Sequence, residues 1–307
     1  LFMGTPEFAI PTLEALDNNC DVVGVVCQPD KPSNRGKIIF SSVKQYAIDH
    51  KLKIFQPENL KDNYVNILKT TPDIIITCAY GQFLPQDFIN FPIYGCINIH
   101  ASLLPKLRGG APIQRAIMNG YEKTGITIMK TVLKMDAGDI IAQSEIPILD
   151  TDTAGSLHDK LSLIGRDLII KELPNIIKGN VNYTKQDESK VTFAYVIKKE
   201  EEKINFDKIS REIINQIRAL NPYPGAYTIL SGKILKIWGA KEGDNYPRDT
   251  DINGQITALY DDGIGVKIGN GELILTELQL EGRKKMTAKE FINGAVNKDI
   301  LIGRVFE

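Results

Sequence analysis

Apolar residues come in short β-branched blocks, each ending in a polar or glycine-bearing turn and followed by a stretch of helical spacing. Leu1-Phe2-Met3 runs into Gly4, a helix is predicted over Ala9–Asp17, and Asp21 to Gln28 (DVVGVVCQ) forms the next block. A β-α-β opening with short connections signals a parallel sheet. Helices are predicted over Ser42–His50 and Asp62–Lys69, with a short strand at Ile54-Phe55 between them. Asp73 to Ala79 (DIIITCA) reads as a buried strand that ends in a Tyr80-Gly81 turn. The strand Cys96–His100 follows, then a tight loop, a helix to Asn119, and strands over Gly125–Val132 and Asp139–Ile148. A long amphipathic helix runs from a Thr151-Asp152-Thr153 start to Lys178.

The pattern then changes. Gln186 to Lys203 is polar and charged, and reads as a crossing between domains. A helix over Ser210–Leu220 and the stiff turn Asn221-Pro222-Tyr223-Pro224-Gly225 lead into short strands separated by glycines. These strands fall at Ala226–Leu230, Ile234–Ala240, Gly254–Leu259, Gly265–Ile268 and Glu272–Gln279, the pattern of a small barrel. The expected fold is therefore α/β: a Rossmann-like, mostly parallel sheet over residues 1–189, a linker over 190–206, and an OB-like β-barrel over 207–307.

Composition narrows the partners. The chain has 307 residues, 43% hydrophobic and 24% charged, which is enough apolar material for two ordinary globular cores. A net charge of −1 excludes a strongly basic nucleic-acid binder, so any such partner must be met by local patches. No apolar run approaches the ~20 residues of a membrane span, and no charged-then-apolar leader is visible. The chain opens at Leu1, already inside an apparent strand, so residues are expected to precede it. Cys20, Cys27, Cys78 and Cys96 form no C-x-x-C pair. They read as small buried hydrophobes of a reducing, cytoplasmic protein, with no metal expected. His50 and His158 lie in polar helical surroundings and read as surface residues. Gly4 alone is no G-x-G-x-x-G fingerprint, which argues against a nicotinamide cofactor.

Candidate chemistry gathers on Cys96-Ile97-Asn98-Ile99-His100-Ala101-Ser102-Leu103-Leu104-Pro105. Strand alternation puts Asn98 and His100 on one side and Ile97 and Ile99 on the other. A polar pair in an apolar strand is often just a hydrogen-bonded core group. Here Asp136, in a glycine-bearing turn, adds a carboxylate, and all three groups are expected at strand ends of one parallel sheet. An amide donor, an imidazole and a carboxylate suit transfer of an acyl group onto an amine: the donors stabilise an oxyanion, and the acid–base pair moves protons. Pro29 to Lys37 is a long basic loop whose Lys31, Arg35 and Lys37 suit phosphate contacts, although a solvated loop carries charge as well. Arg283, Lys284 and Lys285 form a second basic cluster.

Asn98-x-His100, Ser102-Leu103-Leu104-Pro105 with Arg108-Gly109, and Asp136-x-Gly138-Asp139 resemble the folate-dependent formyltransferase family. Met3-Gly4-Thr5-Pro6-Glu7-Phe8-Ala9, Gln28-Pro29-Asp30-Lys31-Pro32, Ala79-Tyr80-Gly81 and Ala111-Pro112-Ile113-Gln114-Arg115 extend the resemblance over essentially the whole chain. It implies a monomeric cytoplasmic enzyme that moves formyl from 10-formyltetrahydrofolate to the α-amine of initiator methionyl-tRNA. It further implies that Asn98, His100 and Asp136 are catalytic, and that Tyr80, Gly81, Ser102, Leu103, Leu104 and Pro105 border the folate. Lys31, Arg35, Lys37, Lys203 and Arg283–Lys285 would face the tRNA. Leu133 and Lys130 depart from the family pattern, standing where acidic and uncharged residues are common. A sugar-nucleotide amine is the alternative acceptor, which an assay with both acceptors separates. A non-catalytic RNA-binding protein is the alternative class, and the intact Asn98, His100 and Asp136 set argues against it.

Overall fold

The structure, a computed structural model, describes residues 1–32, 38–244, 252–294 and 301–307. Arg35 and Lys37 lie outside the described residues. In chain order the strands are β1 Phe2–Gly4, β2 Val25–Val26, β3 Lys31–Pro32, β4 Ile38–Ile39, β5 Ile54–Phe55, β6 Ile75–Cys78, β7 Cys96–His100, β8 Lys123–Lys130 and β9 Ile140–Pro147. They continue with β10 Ala226–Leu230, β11 Lys233–Glu242, β12 Ile256–Tyr260, β13 Gly263–Ile268, β14 Gly271–Leu280 and β15 Met286–Thr287. The helices are α1 Ile10–Asn19, α2 Ser42–Asp49, α3 Leu60–Leu68, α4 Gln86–Asn90, α5 Pro112–Met118, α6 Ala154–Ile177, α7 Ser210–Ala219 and α8 Ala288–Asn293.

Two compact units result. The first comprises residues 1–112, 123–147 and 158–195; the second comprises 113–122, 148–157 and 196–307. The polar stretch expected to link domains is thus divided at 195/196. The second unit also takes up two segments from the amino-terminal half. Within it, Arg115 Nη1 meets Glu201 Oε1 at 2.6 Å, and Arg218 Nη1 donates to the carbonyls of Leu149, Asp150 and Asp152.

The first unit is built on a seven-stranded sheet in the order β5-β2-β1-β6-β7-β8-β9. The first five strands are parallel, as the β-α-β pattern predicts, whereas β8 runs antiparallel to β7 and β9 antiparallel to β8. The expectation that Asp136 stands at a strand end of one parallel sheet is therefore corrected. The loop after β8 starts beside Cys96, where Thr131 N donates to Cys96 O, and has to return along β7 to reach its far end. A Cβ on Gly4 would sit 2.8 Å from both Ala9 Cβ and Cys78 O, so glycine is needed for β1 to pack against its neighbours. Cys27, Cys78 and Cys96 are buried, and burial pushes the Cys78 and Cys96 thiols up to about 12, which leaves them unreactive. Cys20 is exposed, contrary to the expectation for a buried hydrophobe.

The second unit holds an antiparallel sheet ordered β10-β11-β14-β13-β12, with β15 paired to β14. Alternate residues such as Leu235, Ile237, Leu273, Leu275, Ile264 and Val266 are fully buried and pack against Ile213 and Ile217 of α7. Among the described residues no pairing joins β10 to β12, so the ladder shows an antiparallel sheet.

One buried side chain ties the first sheet to the loop after β7. Thr127 donates to Ser102 O at 2.6 Å and accepts from Leu104 N at 3.1 Å and from Gln143 Nε2 at 2.8 Å. Thr124 lies on the same strand, and its buried hydroxyl has no hydrogen-bond partner among the described residues. The loss of a satisfied buried hydroxyl costs about 1–3 kcal/mol, whereas removal of an unsatisfied one is neutral or stabilising. Urea unfolding of Thr127→Val is expected to show such a loss, and Thr124→Val none.

Candidate formyl-transfer site

The site starts from β7. Ile97 and Ile99 are buried in the core, and Asn98 and His100 project from the opposite face, as alternation requires. Thr77, the register partner of Asn98 on β6, donates its hydroxyl to Asn98 Oδ1 at 2.8 Å. The amide oxygen is thereby used and its NH₂ group remains for another acceptor. His100 is 6% exposed, and its Nε2 lies 3.0 Å from Leu107 O. A carbonyl only accepts, so Nε2 carries the hydrogen and Nδ1 is the nitrogen facing the carboxylate.

That carboxylate belongs to Asp136. Its Oδ2 is 3.8 Å from His100 Nδ1 and accepts from Gly109 N at 2.8 Å. The two groups come from separate loops and meet only through folding. Asp136 itself sits at φ +49°, in the left-handed region that costs a non-glycine residue about 1–2 kcal/mol. Gln186 stands behind this turn. Its Nε2 donates to Asp136 O at 2.8 Å and to Gly138 O at 2.7 Å, and its Oε1 accepts from Arg108 Nε and Nη2 at 3.0 and 2.8 Å. Arg108 is fully buried, and its Nη2 also pairs with Glu188 at 2.8 Å.

The remaining sequence-singled residues fall as follows. Ser102 is buried, with Oγ donating to Lys106 O at 2.7 Å, and Leu104 O accepts from Gln143 Nε2. Leu103 and Pro105 are half-buried in the same loop, downstream of the polar pair. The ring of Tyr80 packs in the core with Leu60, Ile67 and Phe88, so at the sheet edge this residue offers main chain; its carbonyl accepts from Gln28 Nε2 at 3.0 Å. Gly81 follows at φ +88°. Lys31, Lys203, Arg283, Lys284 and Lys285 are exposed, with Lys285 Nζ held 2.6 Å from Glu277. His50 is exposed, while His158 is half-buried with its ring edge-on to Phe8. Lys130, one of the two departures from the family pattern, has its ammonium 3.8 Å over the Tyr183 ring, and Leu133 is 57% exposed.

A family model described as formyl transferase matches residues 1–173, and one described as formyl transferase, C-terminal domain, matches residues 196–296. The chain belongs to the formyl transferase family. Among its relatives, the methionyl-tRNA formyltransferase of Bacillus cytotoxicus is 48% identical, with 96% of this chain and 95% of that one covered. That of Bacillus subtilis is 46% identical, with 96% and 94% covered. Solved structures share the fold. The N-formyltransferase of Helicobacter canadensis, in complex with folinic acid and dTDP-3-aminofucose, aligns at TM-score 0.66 and 22% identity over 89% of this chain and 97% of that one. HypX of Aquifex aeolicus with tetrahydrofolic acid aligns at 0.58 and 19% over 80% and 43%.

Two features of this formyl transferase escape sequence reasoning. Gln186 and Glu188 sit in the stretch that reads as a polar crossing, yet they contact the Asp136 turn and the buried Arg108. Only their fixed spacing from Thr192 and Ala194, which hydrogen-bond to residues 107–111, connects them to the site. Gln186→Leu is expected to lower stability by about 1–3 kcal/mol in denaturant, because two carbonyls and Arg108 Nε lose their partner. The carboxyl of Glu188 is held down at about 2, first by its hydrogen bond to Arg108 and then by that to Lys134. A depressed acid stabilises the fold above its unfolded value of about 4.5, and this stabilisation fades as pH falls toward 2. Glu188→Gln is accordingly expected to flatten the pH dependence of unfolding between about pH 5 and 2, as followed by acid titration of the melting temperature.

Proposed function

We propose that the protein transfers the formyl group of 10-formyltetrahydrofolate to the α-amino group of initiator methionyl-tRNA. The observation that carries this reading is near-full-length similarity, at 46–48% identity, to relatives named methionyl-tRNA formyltransferase. The donor set at the site fits the chemistry. The free Asn98 NH₂ and a carboxylate beside the facing imidazole nitrogen are what an acyl transfer onto an amine requires.

10-Formyltetrahydrofolate supplies an electrophilic formyl carbon on a nitrogen leaving group. Asn98 Nδ2 donates to the formyl oxygen as the amine adds to the carbon and negative charge develops there. His100 adds a second donor when Nδ1 carries a proton, with the Asp136 carboxylate 3.8 Å away to pair with it. Asp136, directly or through water, takes the proton that the attacking amine loses, and a proton returned to the leaving nitrogen lets the old C–N bond break. The products are formylmethionyl-tRNA and tetrahydrofolate. No covalent enzyme intermediate is required, and Ser102 Oγ is already committed to Lys106 O.

The Ser102–Pro105 loop and the Tyr80-Gly81 turn border the folate in this reading. Lys31, Arg35, Lys37, Lys203, Arg283, Lys284 and Lys285 meet the tRNA backbone, with Lys285 weakened by its pairing to Glu277. The second unit is read as an OB-like barrel. Because these contacts are made to phosphates, tRNA affinity falls steeply with salt. The sugar-nucleotide alternative has behind it fold likeness to sugar N-formyltransferases at 21–23% identity.

The test is transfer of labelled formyl from 10-formyltetrahydrofolate to charged initiator tRNA, with elongator methionyl-tRNA as the control. Labelled formylmethionine on the initiator alone is expected, and no transfer to either acceptor would overturn the reading. His100→Ala and Asp136→Asn are expected to lower kcat by roughly 10²–10⁴-fold, and Asn98→Ala by roughly 10²–10³-fold. tRNA binding, followed by filter retention, should stay close to wild type in all three.

A further inference from the structure

We propose that Phe193 and Tyr195 form a stacking platform for the nucleobases at the single-stranded acceptor end of the tRNA; the inference rests on the methionyl-tRNA reading above and adds where the terminal base lies. Their rings are near-parallel, with centroids 5.7 Å apart and planes 19° apart. They remain 46% and 65% exposed, so burial does not account for them. Ala194 between them is fully buried, which puts the two rings on one side of an extended segment and the backbone anchor on the other.

That segment is fastened to the strip that holds the reacting groups. Arg108 N donates to Thr192 O at 2.9 Å, Ala194 N to Arg108 O at 2.7 Å, Ala111 N to Ala194 O at 3.1 Å, and Leu107 N to Thr192 Oγ1 at 2.9 Å. The same strip, through Leu107 O and Gly109 N, fixes His100 and Asp136. Paired backbones lie about 5 Å apart. Phe193 thus stands about one strand spacing from the residues that set the acid and the imidazole. In an aminoacyl ester the base is separated from the α-amine by little more than a ribose. An amine delivered to Asp136 therefore brings a purine into the neighbourhood of these rings. Aromatic platforms accept any base by its π-face.

The test uses the full-length protein with Phe193→Ala, Phe193→Leu, Tyr195→Ala and Phe193→Trp. Binding of initiator tRNA that carries 2-aminopurine as its terminal base reports stacking by fluorescence quenching. KM for ordinary methionyl-tRNA reports the energetic effect. Expected are quenching with the unmodified chain, weaker quenching with the Ala and Leu variants, and KM raised about tenfold in them. In those variants kcat and the KM for the formyl donor should be unchanged, and Phe193→Trp should restore both readouts. Unaltered quenching and KM in the Ala and Leu variants would overturn the platform, as would a fall in kcat at constant KM. If the unmodified chain quenches the probe through these rings but formylates no methionyl-tRNA, the platform stands and the proposed reaction falls.

Discussion

The hydrogen bond from Gly109 N to the Asp136 carboxylate is the contact on which the rest of the site depends. It joins two loops, one after β7 and one after β8, that Gln186 bridges as well. With it in place the acid faces His100 Nδ1. The carboxylate lies 3.8 Å from a mostly buried imidazole. Everything packed around this contact is arranged to keep the two loops at that separation. Thr127 and Gln143 fasten the first loop, and Gln186 fastens the second to the buried Arg108.

The protein's division of labour follows. The parallel part of the sheet supplies a rigid edge with little freedom in Asn98 and His100. The antiparallel β8 and β9 need no crossover helix between them, so the connection after β8 is free to fold back as a loop rather than climb away as a helix. That topological choice is what allows a carboxylate from the wrong end of a strand to arrive beside the histidine.

Much of this was legible from residues alone. Strand alternation correctly separated Asn98 and His100 from Ile97 and Ile99, because a strand with one buried face leaves no other register. The β-α-β opening gave the parallel strands. The antiparallel turn of β8 was not legible, since a run such as GITIMKTV pairs equally well in either direction. Tyr80 stands in a glycine turn at a strand's end, and that its ring joins the core cluster with Leu60 and Phe88, leaving main chain at the turn, is not legible from residue type. Gln186 and Glu188 were hidden because their partners are an arginine and main-chain carbonyls nearly 50 to 80 residues distant in sequence. No local pattern encodes such a contact. The aromatic pair at 193 and 195 was equally unmarked, for alternation of ring and small residue reads as any short strand.

Gly109 carries a consequence of its own. Its amide holds the side-chain carboxylate of Asp136, and a Cβ on it would stand 2.6 Å from the main-chain Ala194 O at a φ of +129°. Main-chain partners survive any replacement that keeps the path of the chain. Sequence drift at Leu107, whose carbonyl anchors the histidine, is limited both by its φ of +60° and by a buried side chain, 2% exposed. At 109 even a methyl group would push residues 107–111, which hold both the acid and the ring, away from Ala194.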